Sequence, residues 1–519
     1  MVVPPAFPRR ASAYLEDTKH GHEPTEQAPA VRAGWRGRWA RLLMTVAIVL
    51  SACTGDPGGG DGTGGDDGSG GDVATAEAGE TSAGSFLDIN GWMWFYTTAD
   101  EIRFVDLTAM LDDLHRQGIR VIGIYTPYDG DARKWLGAVS RNFYDVAPRS
   151  GTLADFTAMV DAAHERGMKV VAYFGNLNID RNSEFFQTAE EQYAAGDRTS
   201  REVSAFRWVE SDEAELPTPP TGPSQWVYSS IAEAYYWSLW GEPAFDLDLP
   251  GARDEVVRFE KFWLDTGLDG FMFDAAFPDP KFKQVMVDLP VTYTPNDKWL
   301  TFEVTYAEEF DAYVDFGLTS WFNLEDNDEE NDYSLVVRGL ADADHLEEAV
   351  AIADEANAEG TLTHAWSPWE PDAYPDPRMW VQEAAFLAGA GVAYGAPSYT
   401  NYLAWPERAR TDWQRVMATV ADNRALAPSA TRTRVPAGPD PEVFAMVSVA
   451  EDSSQTVLLA YNPTGEPATL PVNLAGTGIS TRQTPIDLYH QREAPPITGT
   501  SYSLELDAYG FAILQVQAG

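Results

Sequence analysis

From Phe86 onward two hydrophobic periods alternate along the chain. The stretches "INGWMWFY", "IRVIGIYTPY" and "MKVVAYFGNLN" are continuous apolar runs rich in β-branched and aromatic residues, and read as buried strands. Between them, "LTAMLDDLHRQG" and "LADFTAMVDAAHERG" carry apolar residues at helical spacing and close on Gly118 and Gly167, which are C-cap signals. This β-α-β-α-β rhythm predicts parallel strands joined by crossover helices. The rhythm resumes with strand candidates "LDGFMFD", "KWLTFEVT", "YVDFGLTSWFNL", "TLTHAW" and "GVAYGAP". Helical patterns in "RDEVVRFEKFWLDTG", "HLEEAVAIADEANAEG" and "WVQEAAFLAGA" accompany them, and one more helix is expected between the fourth and fifth strands.

Eight strand candidates predict an α/β protein, a (β/α)8 TIM barrel over residues 85–426. An insertion at about residues 179–248, with Pro217, Pro219, Pro220 and many aromatics, follows the third strand. Beyond residue 426 no helical period returns. "EVFAMVSVAE", "QTVLLAYNPT", "ATLPVNL" and "SLELDAYGFAILQVQ" are short β runs separated by turn residues, and predict a C-terminal antiparallel β-sandwich over 427–519.

The first 53 residues follow neither period. "RGRWARLLMTVAIVLSAC" has a basic start, a short apolar run from Leu42 to Leu50, and then small residues. That run is too short for a stable membrane-spanning helix and reads as a secretory signal. Its end, Leu50-Ser51-Ala52-Cys53, resembles a bacterial lipobox, which implies cleavage before Cys53 and lipid attachment to it. An ordinary signal or a buried apolar segment is the plainer alternative. Residues 54–84 are Gly/Asp-rich and read as a flexible tether. The expected location is therefore outside the cytoplasm, held to the bacterial cell membrane by lipid alone.

A formal net charge of −44 excludes the basic surface that nucleic-acid phosphates require. Cys53 is the single cysteine, so no intrachain disulfide exists. No metal-ligand spacing or phosphate-cradling glycine loop is present, and the acidic run "NLEDNDEEND" lacks the spacing of a calcium loop; no cofactor is expected. The 17 Trp, 22 Tyr and 24 Phe suit an aromatic sugar cleft, though most such rings serve a core of this size.

Barrel enzymes carry their reacting groups at the C-terminal ends of strands. The third strand ends near Asn176 and Asn178, the fourth on Asp274, the fifth on Glu303 and the seventh on His364. An Asp and a Glu on adjacent strand ends suit a retaining glycosidase, whose two carboxyl groups lie about 5–5.5 Å apart. Neighbouring strands, about 4.8 Å apart, supply such a separation. The same acids also suit metal binding or helix capping. Trp366 and Trp369 are candidates for stacking on a sugar, or for the core.

With these elements in place the chain resembles glycoside hydrolase family 13, the alpha-amylase family, from about Ile89 to its end. "FYDVAPRSGTLADFTAMVDAAHERGMKVV" is similar to the family's second helix and third strand. "FDLDLPGARDEVVRFEKFWLDTGLDGFMFDAA" resembles its approach to the nucleophile strand, "WLTFEVT" its acid/base strand, and "AFLAGAGVAYGAP" its last helix and strand. The resemblance implies a carbohydrate substrate, Asp274 as nucleophile, Glu303 as general acid/base and His364 as a sugar contact. Asn178, Tyr173 and Trp366 would line the substrate cleft, and the insertion would be the family's domain B.

Three departures stand beside it. Met272 occupies the place of an arginine that steadies the nucleophile, Tyr173 that of an aspartate, and Ala365 that of the third carboxylate. Glu325, Asp326, Glu370 and Asp372 are conceivable substitutes, or solvated loop acids. The reading is a retaining glycosidase or transglycosidase acting on α-linked saccharides; the alternative is a catalytically impaired glycan-binding lipoprotein on the same barrel.

Overall fold

The structure, a computed structural model, describes residues 86, 89–175, 177–219, 224–273, 298–304, 319–323, 343–358, 362–366, 376–396, 398–436 and 444–519. The signal-like segment with Cys53, the tether, Asn176, Asp274, the helix expected before the fifth strand, and the acids Glu325, Asp326, Glu370 and Asp372 lie outside them.

Eight parallel strands close into a barrel: β1 (Trp92–Phe95), β2 (Val121–Tyr125), β3 (Lys169–Phe174), β4 (Gly270–Phe273), β5 (Trp299–Val304), β6 (Thr319–Asn323), β7 (Leu362–Trp366) and β8 (Ala393–Ala396). Each pairs with its sequence neighbour and β8 returns to β1. All eight fall within the runs expected to form strands. Alternation sorts their side chains into two cores. Trp92, Trp94, Tyr96, Val121, Val171, Tyr173, Met272, Trp299 and Ala393 fill the barrel interior together with Phe86. Met93, Phe95, Ile122, Ile124, Val170, Phe174, Phe271 and Phe273 face the helices outside. Burial on both faces is why these strands read as unbroken apolar runs.

The helices follow the same logic. In α1 (Phe104–Arg116) the residues Phe104, Leu107, Leu111 and Leu114 make one buried stripe. The chain then turns at Gly118, whose φ is +87° and where a Cβ would meet the backbone of Met417 at 2.4 Å. Glycine is needed there both for the conformation and for the space. Helix α2 (Leu153–His164) starts on a capping box between Thr152 and Asp155.

The insertion after β3 has its own small fold: a helix (Glu184–Ala194), a single turn (Arg201–Ser204) and an antiparallel hairpin, Ser224–Ser229 with Ala234–Leu239. Its aromatics make its core, where Phe186 packs edge-on against Phe206 and Tyr236, and Tyr193 stacks on Trp208. Helix α3 (Pro250–Leu264) then leads to β4, α4 (Ala343–Ala358) to β7, and α5 (Pro377–Gly389) to β8.

Two helices that the sequence pattern left unmarked follow β8: α6 (Tyr399–Ala404) and α7 (Glu407–Ala421). A further strand, β9 (Thr431–Arg434), precedes the expected β runs β10 (Phe444–Val449), β11 (Thr456–Tyr461), β12 (Ala468–Asn473), β13 (Ser501–Leu506) and β14 (Phe511–Val516). The larger sheet contains β9-β10-β11-β14, and β12 pairs with β13 in a second sheet. Strand β11 is buried throughout because it lies between two cores. Leu458 and Ala460 face β12 and β13, while Val457, Leu459 and Tyr461 join the barrel-side core. There the Tyr461 hydroxyl donates to the Ala385 carbonyl at 3.1 Å and its ring meets Phe386 edge-on.

Candidate active site

The C-terminal ends of β1–β8 form the mouth of the barrel, where such folds place their chemistry. Glu303 is the fifth residue of β5, and its ladder partner on β6 is Trp321. On the other side β5 pairs with β4 in a register that matches Met272 with Thr301 and Phe273 with Phe302. Strand β4 ends at Phe273, directly before Asp274 in the chain. His364 of β7 pairs with Asn323 of β6 and with Ala393 of β8, Ala365 pairs with Tyr394, and Trp366 with Gly395. The backbone thus brings the Glu303, His364 and Trp366 positions to one end of the same closed sheet.

Two of the three departures meet each other. Tyr173 and Met272 are direct ladder partners on β3 and β4, and both are buried in the barrel interior. Tyr125 of β2 is the partner of Tyr173 on its other side, and the two rings stack at 4.5 Å with an interplanar angle of 14°. Tyr96, just beyond β1, adds a third ring 4.5 Å from Tyr125. One row of the sheet, Tyr125-Tyr173-Met272-Thr301, therefore carries no charge across four strands. Beneath it Trp92, Trp299 and Phe86 close the interior, with Phe86 stacked on Trp299 at 5.1 Å. Tyr96 and Tyr125 escaped the sequence reading. The signal for them was present in the alternation Trp92, Trp94, Tyr96 and in the tyrosine that ends "VIGIY".

Asn178 is buried, forms a bridge to Ala244, and its Nδ2 donates to the Leu239 carbonyl at 3.4 Å. Its amide nitrogen is thus engaged in holding the insertion against the barrel. A charged cluster does the same nearby. Lys134, from the loop after β2, reaches Glu242 at 2.7 Å and Asp180 at 2.9 Å, and the Arg181 backbone N–H donates to Glu242 at 2.9 Å. Both carboxylates are nearly buried, and these partners compensate the cost of removing their charge from water.

Other acids on the mouth side differ in their surroundings. Burial pushes the Asp100 carboxyl up, and a hydrogen bond from Thr400 opposes this. Burial likewise raises Asp129. Asp131 is held well below the usual carboxylate range, chiefly by hydrogen bonds from the Arg133 guanidinium, with Arg141 adding to it. Among the described residues no group of three His, Cys, Asp or Glu is placed to hold a metal ion.

Comparison with known proteins agrees with this architecture. Residues 106–303 match the family model of the alpha amylase catalytic domain, and residues 434–513 match that of the maltogenic amylase C-terminal domain. Among sequence relatives, the trehalose synthase/amylase of Mycolicibacterium smegmatis is 28% identical over 180 residues, which cover 33% of this chain and 28% of that protein. Alpha-amylase 3 of Dictyoglomus thermophilum is 25% identical over 185 residues, 35% of this chain and 34% of the relative. The matches span about a third or less of the length of these curated relatives.

In solved structures the likeness is broader. A trehalose-6-phosphate hydrolase of Bacillus licheniformis superposes with a TM-score of 0.64 at 12% identity, covering 84% of this chain and 100% of that one. Amy13B of Eubacterium rectale gives 0.63 at 15% identity, covering 83% and 95%. At such identities the likeness establishes the fold. Residues 106–303 are thus similar to the alpha amylase catalytic domain and residues 434–513 to the maltogenic amylase C-terminal domain, on the barrel fold that the solved structures share.

Proposed function

We propose that the protein is a retaining glycosidase or transglycosidase of α-linked glucosides, with Asp274 as nucleophile and Glu303 as general acid/base. The carrying observation is the β4–β5 register. Phe273 pairs with Phe302, and Asp274 and Glu303 are the residues that follow them in the sequence. Adjacent strands lie about 4.8 Å apart, close to the roughly 5–5.5 Å between the carboxyl groups of a retaining enzyme. In the first step the Asp274 carboxylate bonds to the anomeric carbon while the glycosidic C–O bond breaks and Glu303 gives its proton to the leaving oxygen. In the second, Glu303 takes a proton from water or a sugar hydroxyl, whose oxygen displaces Asp274. In this reading His364 and Trp366, both in strand β7, contact the sugar. The relatives named trehalose synthase, alpha-glucosidase and trehalose-6-phosphate hydrolase favour short α-glucosides as first substrates to try.

The test is incubation of the full chain with a panel of α-linked glucosides, with mass spectrometry for products and for an adduct on Asp274. Asp274→Asn and Glu303→Gln are each expected to lower turnover by about a thousandfold or more. Turnover that survives both changes refutes the assignment. The uncharged Tyr173–Met272 pair favours a second reading, a glycan-binding protein that has lost turnover; saccharide binding with neither product nor adduct would establish it. Attachment through a lipid on Cys53 completes the proposal, on the evidence of "LSAC" and the tether behind it.

A further inference from the structure

Two tryptophans on separate loops meet at the surface. Trp135 lies in the loop after β2 and Trp240 in the insertion after β3, and their ring centroids are 5.9 Å apart at an interplanar angle of 56°. Trp135 is 60% exposed and Trp240 37%, whereas most other tryptophans among the described residues are buried. Both loops leave the C-terminal ends of their strands, so the pair stands on the mouth side of the barrel.

The backbone beneath the pair is held in an unfavoured state. Trp135, Leu136 and Trp240 have φ of 49°, 55° and 49°. Bulky side chains rarely adopt such angles, and an outlier of this kind motivates a functional hypothesis. The case of Trp240 is the sharper one. Leu239 pairs with Glu242, so Trp240 and Gly241 form a two-residue hairpin loop, both at positive φ. That loop type prefers Asn-Gly or Asp-Gly. Tryptophan is a poor choice for the turn, and its exposure gives the core little in return.

The loops are also braced directly behind the rings. Lys134, next to Trp135, pairs with Glu242, two residues after Trp240, and with Asp180. Arg181 donates through its side chain to the Gly241 carbonyl. Exposed Gln225 and Arg181 border Gly241, within 3.3 and 3.4 Å of where a Cβ would stand. The surface is thus a tilted pair of indole faces, fixed by buried charge and edged by hydrogen-bond donors.

We propose that Trp135 and Trp240 form a secondary saccharide platform that takes successive pyranose rings of an α-linked glucan. Indole faces are electron-rich and accept the C–H face of a sugar ring, while Arg181 and Gln225 donate to its hydroxyls. A fixed pair of rings binds without ordering cost. The ligand class rests on the glycoside reading above, but binding at the platform requires no turnover.

The test uses the full chain in native gels cast with and without soluble α-glucan, beside Trp135→Ala and Trp240→Asn. The wild type is expected to be retarded by the glucan, and each variant to lose about tenfold or more of that affinity, the scale of a tryptophan hot spot. Trp240→Asn suits the turn and is expected to keep or raise the melting temperature, so lost binding cannot be ascribed to misfolding. Hydrolysis of a short α-glucoside, measured in parallel, is expected to be unchanged in both variants. A wild type that is not retarded, or variants retarded equally to it, overturns the platform whether or not hydrolysis is seen. Retardation that depends on the tryptophans without hydrolysis leaves the platform standing and refutes only the catalytic proposal.

Discussion

The pairing of Tyr173 with Met272 makes a quantitative prediction. If the two positions replaced a charged pair together, restoring one charge alone should be costly and restoring both less so. Met272→Arg places a guanidinium where the methionine is 3% exposed, among Trp92, Trp299 and Tyr173. An unpaired buried charge of this kind costs about 3–5 kcal/mol. Tyr173→Asp removes a ring that is 6% exposed and stacked on Tyr125. Losing that burial and stacking costs about 2–4 kcal/mol before the new carboxylate is counted. In the double variant the two charges stand on adjacent strands in direct register, and should recover about 2–3 kcal/mol by pairing. The assay is urea denaturation of the wild type, both single variants and the double variant, followed by tryptophan fluorescence. If Tyr173→Asp alone fails to fold, rescue by Met272→Arg reads the same coupling. Single effects that add to within about 0.5 kcal/mol would refute the idea that these positions act as a pair.

Other expectations are simpler. Arg432 has no exposed side-chain surface and donates to the carbonyls of Ala427, Ala430 and Gly389 at 2.7, 2.8 and 3.1 Å. Arg432→Met should cost about 3–5 kcal/mol in denaturation, and Arg432→Lys should recover little because one ammonium cannot span the same carbonyls. Asp269, at the opposite end of β4 from Asp274, accepts from Val170 N–H, His164 and Lys169 at 2.8, 2.8 and 2.9 Å. Asp269→Asn should cost about 1–3 kcal/mol, since the partly exposed partners are screened, and should leave KM unchanged. The carboxyl of Asp131 is depressed by Arg133, so its contribution is complete above its unfolded pKa and lost as pH falls through its lower folded value. Asp131→Asn should therefore flatten the acid limb of stability against pH and leave the neutral region nearly parallel. Cys53→Ala should release the protein from the membrane fraction of a bacterial host into the soluble extracytoplasmic fraction, as read by immunoblot after detergent-phase partition.

The barrel was legible because burial on both faces writes long apolar runs, and because amphipathic helices ending on Gly118 and Gly167 punctuate them. Helices α6 and α7 were less visible. Tyr399–Ala404 is a short polar and aromatic segment, and Glu407–Ala421 carries many charges around a narrow stripe of Trp413, Val416, Met417 and Val420. Strand β9, "TRTR", carries polar residues throughout, and its arginines work by reaching inward to carbonyls and to the Phe444 ring. The site was legible in part for a related reason. A carboxylate at a strand end is visible in one dimension, whereas the partnership of Tyr173 with Met272 exists only across the sheet.

That partnership changes what the three departures mean. Taken singly, a methionine for an arginine beside a nucleophile is a loss of electrostatic support, commonly worth several kcal/mol in a transition state. In the folded barrel the same methionine is packed against a tyrosine that replaces an acid, and that tyrosine continues a stack through Tyr125 to Tyr96. Neither position carries a charge, and the Tyr173 ring and the Met272 side chain fill the volume with their aromatic neighbours. The row below the Glu303 position is uncharged, with Tyr173 and Met272 buried in it, and such surroundings lower the local dielectric. Low dielectric strengthens what charge pairing remains above it and raises the cost of ionising a carboxyl without a partner. On the proposed reading, the charge of a nucleophile in that setting has to be supported by other groups of the mouth. The acid limb of kcat/KM should then lie at lower pH in the Met272→Arg variant, whose added guanidinium favours a carboxylate above it. An unmoved limb in an active Met272→Arg variant would refute this electrostatic role of the Met272 position.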